Sequence, residues 1–152
     1  LTNAFWDEIS VKVRLTAAQL ANAQSLAGFP PALLARLTAF DYDMYYRLAL
    51  GLVLIKAPGH TPGSQMVYVR LQNGSEYLLV GDVVWNSESI DRLTGRPLLM
   101  NLSMNEDRAA LGNEIRTLYD IARSGPIHLV VSHDGEQIEQ YMRQRLLGNM
   151  FE

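Results

Sequence analysis

Three side chains able to ligate a metal stand 22 and 51 residues apart along the chain: His60, Asp82 and His133. Imidazole and carboxylate suit Zn²⁺ and other first-row divalent metals. His60 directly precedes Thr61-Pro62-Gly63-Ser64, a stretch that predicts a type II turn, with Pro setting φ at the second position and Gly supplying positive φ at the third. A histidine so placed has its backbone held by its neighbours, as a pre-positioned ligand requires. Asp82 follows Gly81 at the end of the strand-like run "YLLVGD", and His133 ends "IHLVVSH". Ligand sites of open α/β sheets gather outside strand ends, and all three residues lie at such ends. Each also has a plainer reading. His60 could be incidental to a hairpin turn, Asp82 a turn carboxylate receiving backbone N–H groups, and His133 a polar residue at a helix entry.

The elements that must position these residues change character along the chain. From Leu1 to about Arg47 the pattern is helical. Thr16 can cap "AAQLANAQSLAG", where Leu20, Ala23 and Ala27 share a face before Gly28. "FPPALLARLTAF" restarts with two prolines at a first helical turn, and "FDYDMYYRL" follows, aromatic and irregular. From Leu48 the period becomes that of strands. "LALGLVLIKAP" predicts one strand and "QMVYVRL" the next; Asn73-Gly74 predicts a hairpin, with "EYLLVGD" returning. A loop is expected from Val83 to Asn101. Ser103 and Glu106 then form a capping box for a helix carrying Leu111, Ile115, Leu118, Tyr119 and Ala122 at helical spacing. Gly125-Pro126 ends it, and "IHLVVSH" is a short apolar strand. Asp134 with Gln137 caps a last helix with Ile138, Tyr141, Met142 and Leu146 facing inward and Gly148 closing it. The second two-thirds thus predicts an α/β layer.

Composition narrows the function classes. In 152 residues, 48% are hydrophobic and 19% charged, the profile of a globular domain. A net charge of −3 with no dense Lys/Arg run removes the electrostatic footprint of a nucleic-acid binder. No apolar run is long enough to span a membrane. The absence of cysteine excludes disulfides and thiolate ligands. The compartment stays open, with the cytoplasm favoured.

Other constellations fail on geometry. Ser132, His133 and Asp134 are consecutive and cannot make the Ser–His and His–Asp bonds of a triad together. No G-x-S-x-G elbow or phosphate-binding glycine loop occurs. Asp41 and Asp43 flank Tyr42 in what reads as a polar loop. Strand alternation sets His128 on the face opposite Ile127, Leu129 and Val131, as a packing or surface residue.

"APGHTPGS", "YLLVGDVVW" and "IHLVVSHD", in this order and spacing, closely resemble the second half of the metallo-β-lactamase superfamily. The resemblance runs from Leu48 to Gln144, and "GPIHLVVSHDGEQIEQ" looks most like the branch holding quorum-signal lactonases. It implies an α/β fold, part of an αββα sandwich, with a dinuclear metal site at one edge of the sheets. His60 would bind the first metal, Asp82 would be the catalytic carboxylate bridging both, and His133 would bind the second. A metal-activated water would attack an ester, lactone, thioester, amide or phosphoester of a small-molecule substrate. The segment 1–47 would be a lid or insertion, with Phe29, Phe40, Tyr42, Met44, Tyr45 and Tyr46 lining a substrate pocket or packing a helical layer. Residues 48–152 would be the C-terminal half of the domain.

The superfamily's His-x-His-x-Asp-His motif is absent from this sequence. Each metal would thus see one histidine plus the shared Asp82, whereas a stable Zn²⁺ site needs three or four protein ligands, so this chain by itself is expected to bind metal weakly or not at all. With a first residue that is not Met, the expectation is the C-terminal part of a longer hydrolase, inactive in isolation. Its natural partner would be the missing N-terminal half, or another copy of itself. The competing class is a non-catalytic binding or oligomerisation module that keeps half of the fold, with one sheet face uncovered.

Overall fold

The computed structural model of the chain describes residues 12–13, 38–39, 42–97 and 106–147. Two compact units divide it, Leu1–Asp43 and Met44–Glu152. In the first, strands β1 (Lys12–Val13) and β2 (Thr38–Ala39) pair in parallel, where the sequence pattern predicts helix. The expected helices after Thr16 and after Phe29 otherwise lie outside the described residues, as do Phe29 and Phe40.

The second unit begins at Met44 rather than Leu48, because "MYYRL" is not irregular. Its Tyr45–Ala49 is strand β3, paired antiparallel with β4 (Leu52–Lys56). "LALGLVLIKAP" is therefore two strands around a turn at Leu50–Gly51. A run without a polar side chain from Leu48 to Ile55 hides such a break, since both sides of the turn carry the same residue types. β5 (Gln65–Arg70) and β6 (Glu76–Leu79) continue the antiparallel order around the expected Asn73-Gly74 turn. There Asn73 Oδ1 accepts from Ser75 N–H at 2.9 Å.

β7 (Ile127–Val130) then joins β6 in parallel, giving a five-stranded sheet in the order β3-β4-β5-β6-β7. Among the described residues, the crossover between β6 and β7 holds two α-helices. α1 (Ser87–Asp91) stands in the stretch expected to be loop, capped by Asn86, whose side chain accepts from Ser89 N–H. α2 (Arg108–Ser124) follows the expected period, with Leu111, Ile115 and Leu118 buried, although Ala122 is exposed. α3 (Gly135–Arg143) closes the described chain, and its Met142 faces solvent rather than the core.

The core forms where α2 crosses one face of the sheet. Registered neighbours Tyr68, Leu78 and Leu129 share that face with Met66, two residues along β5. Against them pack Leu111, Ile115 and Leu118, with Val80, Val83, Val84 and Ile90 closing the end. On the opposite face, Tyr77 and His128 are registered neighbours with ring centroids 5.3 Å apart. Tyr141 of α3 closes on His128 at 5.8 Å, so His128 is a packing residue. Further across that face the register aligns Tyr46, Leu54, Val67, Leu79 and Val130 in one row. Tyr46 and Leu79 in this row are exposed. No helix among the described residues is long and apolar enough to cross a membrane.

Candidate functional site

Strand direction assembles the site. β6 and β7 run parallel with Leu79 opposite Val130, and Asp82 and His133 each lie three residues beyond that pair. The two therefore leave the same sheet edge at the same height. Val80 N–H donates to Val130 C=O at 3.1 Å, and Ser132 Oγ donates to Gly81 C=O at 3.2 Å, binding one exit to the other. β5 is antiparallel to β6, so its beginning sits at this same edge, and His60 is in the turn leading into it.

Gly81 makes the first exit possible. Its φ of +58° lies in the left-handed region, which a side chain disfavours by roughly 1–2 kcal/mol. The chain then turns through a short 3₁₀ segment, Gly81–Val83, anchored by buried Val83 and Val84. Asp82 sits there at φ −93° and ψ 18°, in the bridge region where many active-site residues sit.

The His60 turn is held from two directions. Ala57 N–H donates to Ser64 C=O at 3.0 Å and Ser64 N–H to Thr61 C=O at 2.9 Å, closing the loop locally. Among the described residues the glycines at positive φ are Gly51, Gly74 and Gly81, so Thr61–Ser64 is a hydrogen-bonded turn but not of type II. The second hold comes from the start of α2. Gly59 C=O accepts from Asp107 N–H at 2.9 Å, and Gly59 N–H donates to Glu114 Oε1 at 2.9 Å. A Cβ on Gly59 would come within 2.5 Å of Leu111 N and 2.6 Å of its Cα. Only glycine allows the loop to lie directly on the helix backbone.

Glu106 does not belong to a capping box. Asp107 caps α2, accepting from Ala109 and Ala110 N–H, while Ser103 lies outside the described residues. Glu106 instead turns inward, and its Oε1 lies 2.7 Å from His60 Nδ1. The same oxygen accepts from Arg96 Nη1, and Arg96 Nη2 donates to the backbone carbonyl of Asp82. Glu106 Oε2 is buried without a hydrogen-bond partner among the described residues. The Arg96 guanidinium stacks over Trp85 at 4.6 Å from its ring centroid, and Trp85 meets the edge of His133 at 5.9 Å.

With these supports the three candidate side chains converge. His133 Nε2 is 3.0 Å from Asp82 Oδ1, and His60 Nε2 is 3.9 Å from Asp82 Oδ2. Side-chain exposure rises from 0% at Glu106 and 5% at Arg96, through 17% at His60, to 46% at Asp82 and 59% at His133. The site is thus sealed on the Glu106 side and open to solvent at Asp82 and His133.

Asp134 plays the expected capping part, accepting from Gln137 N–H, and also accepts from Ser87 N–H and Oγ. Burial acts to raise its carboxyl, but these three hydrogen bonds outweigh burial and hold it below the usual carboxylate range. The Gln137 side chain accepts from Val131 N–H at 3.0 Å instead of completing a capping box.

The donors fit a divalent metal in type. His60 has Nδ1 engaged by a carboxylate and presents Nε2, the arrangement common to metal-ligating histidines. They do not complete a coordination shell. Among the described residues no group of three or more His, Asp or Glu side chains is arranged to hold an ion. The sequence offered no direct signal for Arg96 or Glu114, and Glu106 matched a capping pattern that concealed its part.

No protein-family model matches the sequence, and no curated protein matches it. Solved structures do match the chain. An N-acyl homoserine lactone hydrolase, solved with the product N-hexanoyl-L-homoserine at its catalytic metal centre, is similar at 17% identity and a TM-score of 0.58. The match covers 85% of this chain and 48% of that one. A quorum-quenching N-acyl homoserine lactone lactonase matches at 17% identity and a TM-score of 0.59, over 85% of this chain and 50% of that one. A B. thuringiensis protein with N-decanoyl-L-homoserine bound at its active site matches at 17% identity and 0.58, over 85% and 48%. The chain therefore has the mixed α/β, metallo-β-lactamase-like fold of these lactonases. It spans about half the length of the structures it matches.

Proposed function

We propose that this chain is the C-terminal share of a metal-dependent hydrolase, with His60, Asp82 and His133 its contribution to a dinuclear, zinc-type centre. The observation carrying this reading is the Asp82 carboxylate set between two imidazole Nε2 atoms, at 3.0 and 3.9 Å. One carboxylate offering an oxygen to each of two imidazole-bearing positions is the donor set a bridging ligand needs. The fold of the lactonases it resembles supports the same reading, and points to an ester, lactone, thioester or amide as the bond cleaved. A bound divalent metal supplies Lewis acidity and an activated water at such a place. The chain's own residues orient its ligands: Glu106 and the Gly59 clamp hold His60, the Gly81 turn presents Asp82, and the Ser132–Gly81 bond sets the approach of His133. Trp85 and the His133 edge wall the open side, where a small-molecule substrate would enter.

Zinc titration tests the assignment. The 152-residue chain is expected to bind Zn²⁺ weakly, because each metal of such a centre would have only one imidazole and the shared Asp82, short of the three or four ligands a stable shell needs. Tight stoichiometric binding would overturn that incompleteness. In the natural protein that carries this chain, His60→Ala should lower both metal content and lactone or thioester hydrolysis. Retention of both would remove His60 from the site.

A second reading, a non-catalytic binding or oligomerisation module, draws on the apolar row in which Tyr46 and Leu79 are exposed. Leu79→Lys decides between the two. Under the module reading it turns a self-associated chain monomeric at unchanged fold; under the hydrolase reading metal content follows His60 and not Leu79.

A further inference from the structure

We infer that Glu106 is the positioning residue of this site, holding His60 as the Nδ1–H tautomer with Nε2 turned to Asp82, while Arg96 locks the same carboxylate to the Asp82 backbone. The inference rests on the reading of His60 as a metal ligand for its purpose, though not for its geometry. Glu106 has no exposed side-chain surface, and its Oε1 lies 2.7 Å from His60 Nδ1. An ionised carboxylate can only accept, so the ring nitrogen facing it carries the proton and Nε2 keeps its lone pair. That Nε2 is the atom directed at Asp82 Oδ2.

A buried carboxylate needs a compensating charge, and Arg96, 5% exposed, supplies it through Nη1. Its Nη2 donates to Asp82 C=O, and its flat face rests on Trp85. One guanidinium therefore touches the support of His60, the backbone of Asp82 and the ring beside His133. A simple structural ion pair would require only the first of these three contacts. The Arg96–Glu106 pair sets the distance between two ligand positions 22 residues apart in sequence.

The test begins with the metal-free chain. Long-range ¹⁵N–¹H spectra at pH 8 read which His60 ring nitrogen is protonated. A protonated Nδ1 with a pyridine-like Nε2 is expected; an Nε2–H ring, or a mixture, overturns the inference. The double variant Glu106→Leu/Arg96→Met removes the support without leaving a lone buried charge. It should release His60 to a tautomer mixture, and a ring still held as Nδ1–H would likewise overturn the inference. Should that variant fail to fold, the spectrum of the unaltered chain decides alone. In the natural protein, Glu106→Gln should weaken metal affinity by roughly 10–100-fold, and unchanged affinity would deny the residue its role. If His60 is Nδ1–H as expected but His60→Ala leaves Zn²⁺ affinity unchanged, the ligand reading fails while the positioning geometry stands.

Discussion

Asp82 and His133 leave two parallel strands at equal distance beyond one registered pair, and their side chains meet at 3.0 Å. Nothing local to either residue brings this about. It follows from β7 inserting beside β6 with Leu79 opposite Val130, since a shift by one residue would send every side chain of β7 to the other face.

The clamp on Gly59 makes a sharp prediction. A Cβ there meets backbone atoms of Leu111 at 2.5 and 2.6 Å, and backbone cannot swing aside as a side-chain end can. Gly59→Ala should destabilise the domain by about 1–3 kcal/mol, as overpacking does. Urea denaturation measures the loss. The same variant should shift the His60 ring resonances, because the loop must lift from α2.

At Gly81 the constraint is the backbone angle rather than space, as the nearest atom to a Cβ, Gln65 O, is 3.4 Å away. Gly81→Ala should cost about 1–2 kcal/mol, and Gly81→Asn clearly less, because asparagine tolerates left-handed backbone. Equal losses in the two variants, read by thermal unfolding, would show that contact and not φ sets the requirement.

Leu118 is fully buried at the centre of the α2 face. Leu118→Ala should remove about 2–5 kcal/mol through lost burial and the cavity left behind. Chemical denaturation checks this, and the neighbouring exposed Thr117→Ala should change stability far less.

Tyr141 sets an alkaline limit. Burial raises its pKa above the ordinary tyrosine value, and the charges of Asp134 and Tyr77 raise it further. The unfolded tyrosine ionises at its ordinary value of about 10, before the folded one. Its contribution to stability is thus complete below pH about 10 and is lost as pH rises through the higher folded value. Tyr141→Phe should flatten this alkaline decline. At neutral pH it should cost about 1 kcal/mol, from the lost hydrogen bond to Leu129 C=O. Stability measured from pH 8 to 11 in both forms checks the two effects separately.

What the sequence determined by itself is what short-range periodicity and turn chemistry encode. The period of α2 placed Leu111, Ile115 and Leu118 inward, Asn73-Gly74 marked its hairpin, and three strand ends carried His60, Asp82 and His133. Where one residue type serves two structural ends, the local pattern failed. "LALGLVLIKAP" is apolar on both sides of its turn, and Glu106 stands at capping-box spacing while its carboxylate reaches His60, 46 residues away. The Gly59–Glu114 bond spans 55 residues, and the Asp82–His133 contact 51. Contacts of this separation depend on strand register and on how α2 seats against the sheet, which are properties of the packed whole. The sequence named the candidate ligands; the packing alone decided that a buried Glu106–Arg96 pair supports them.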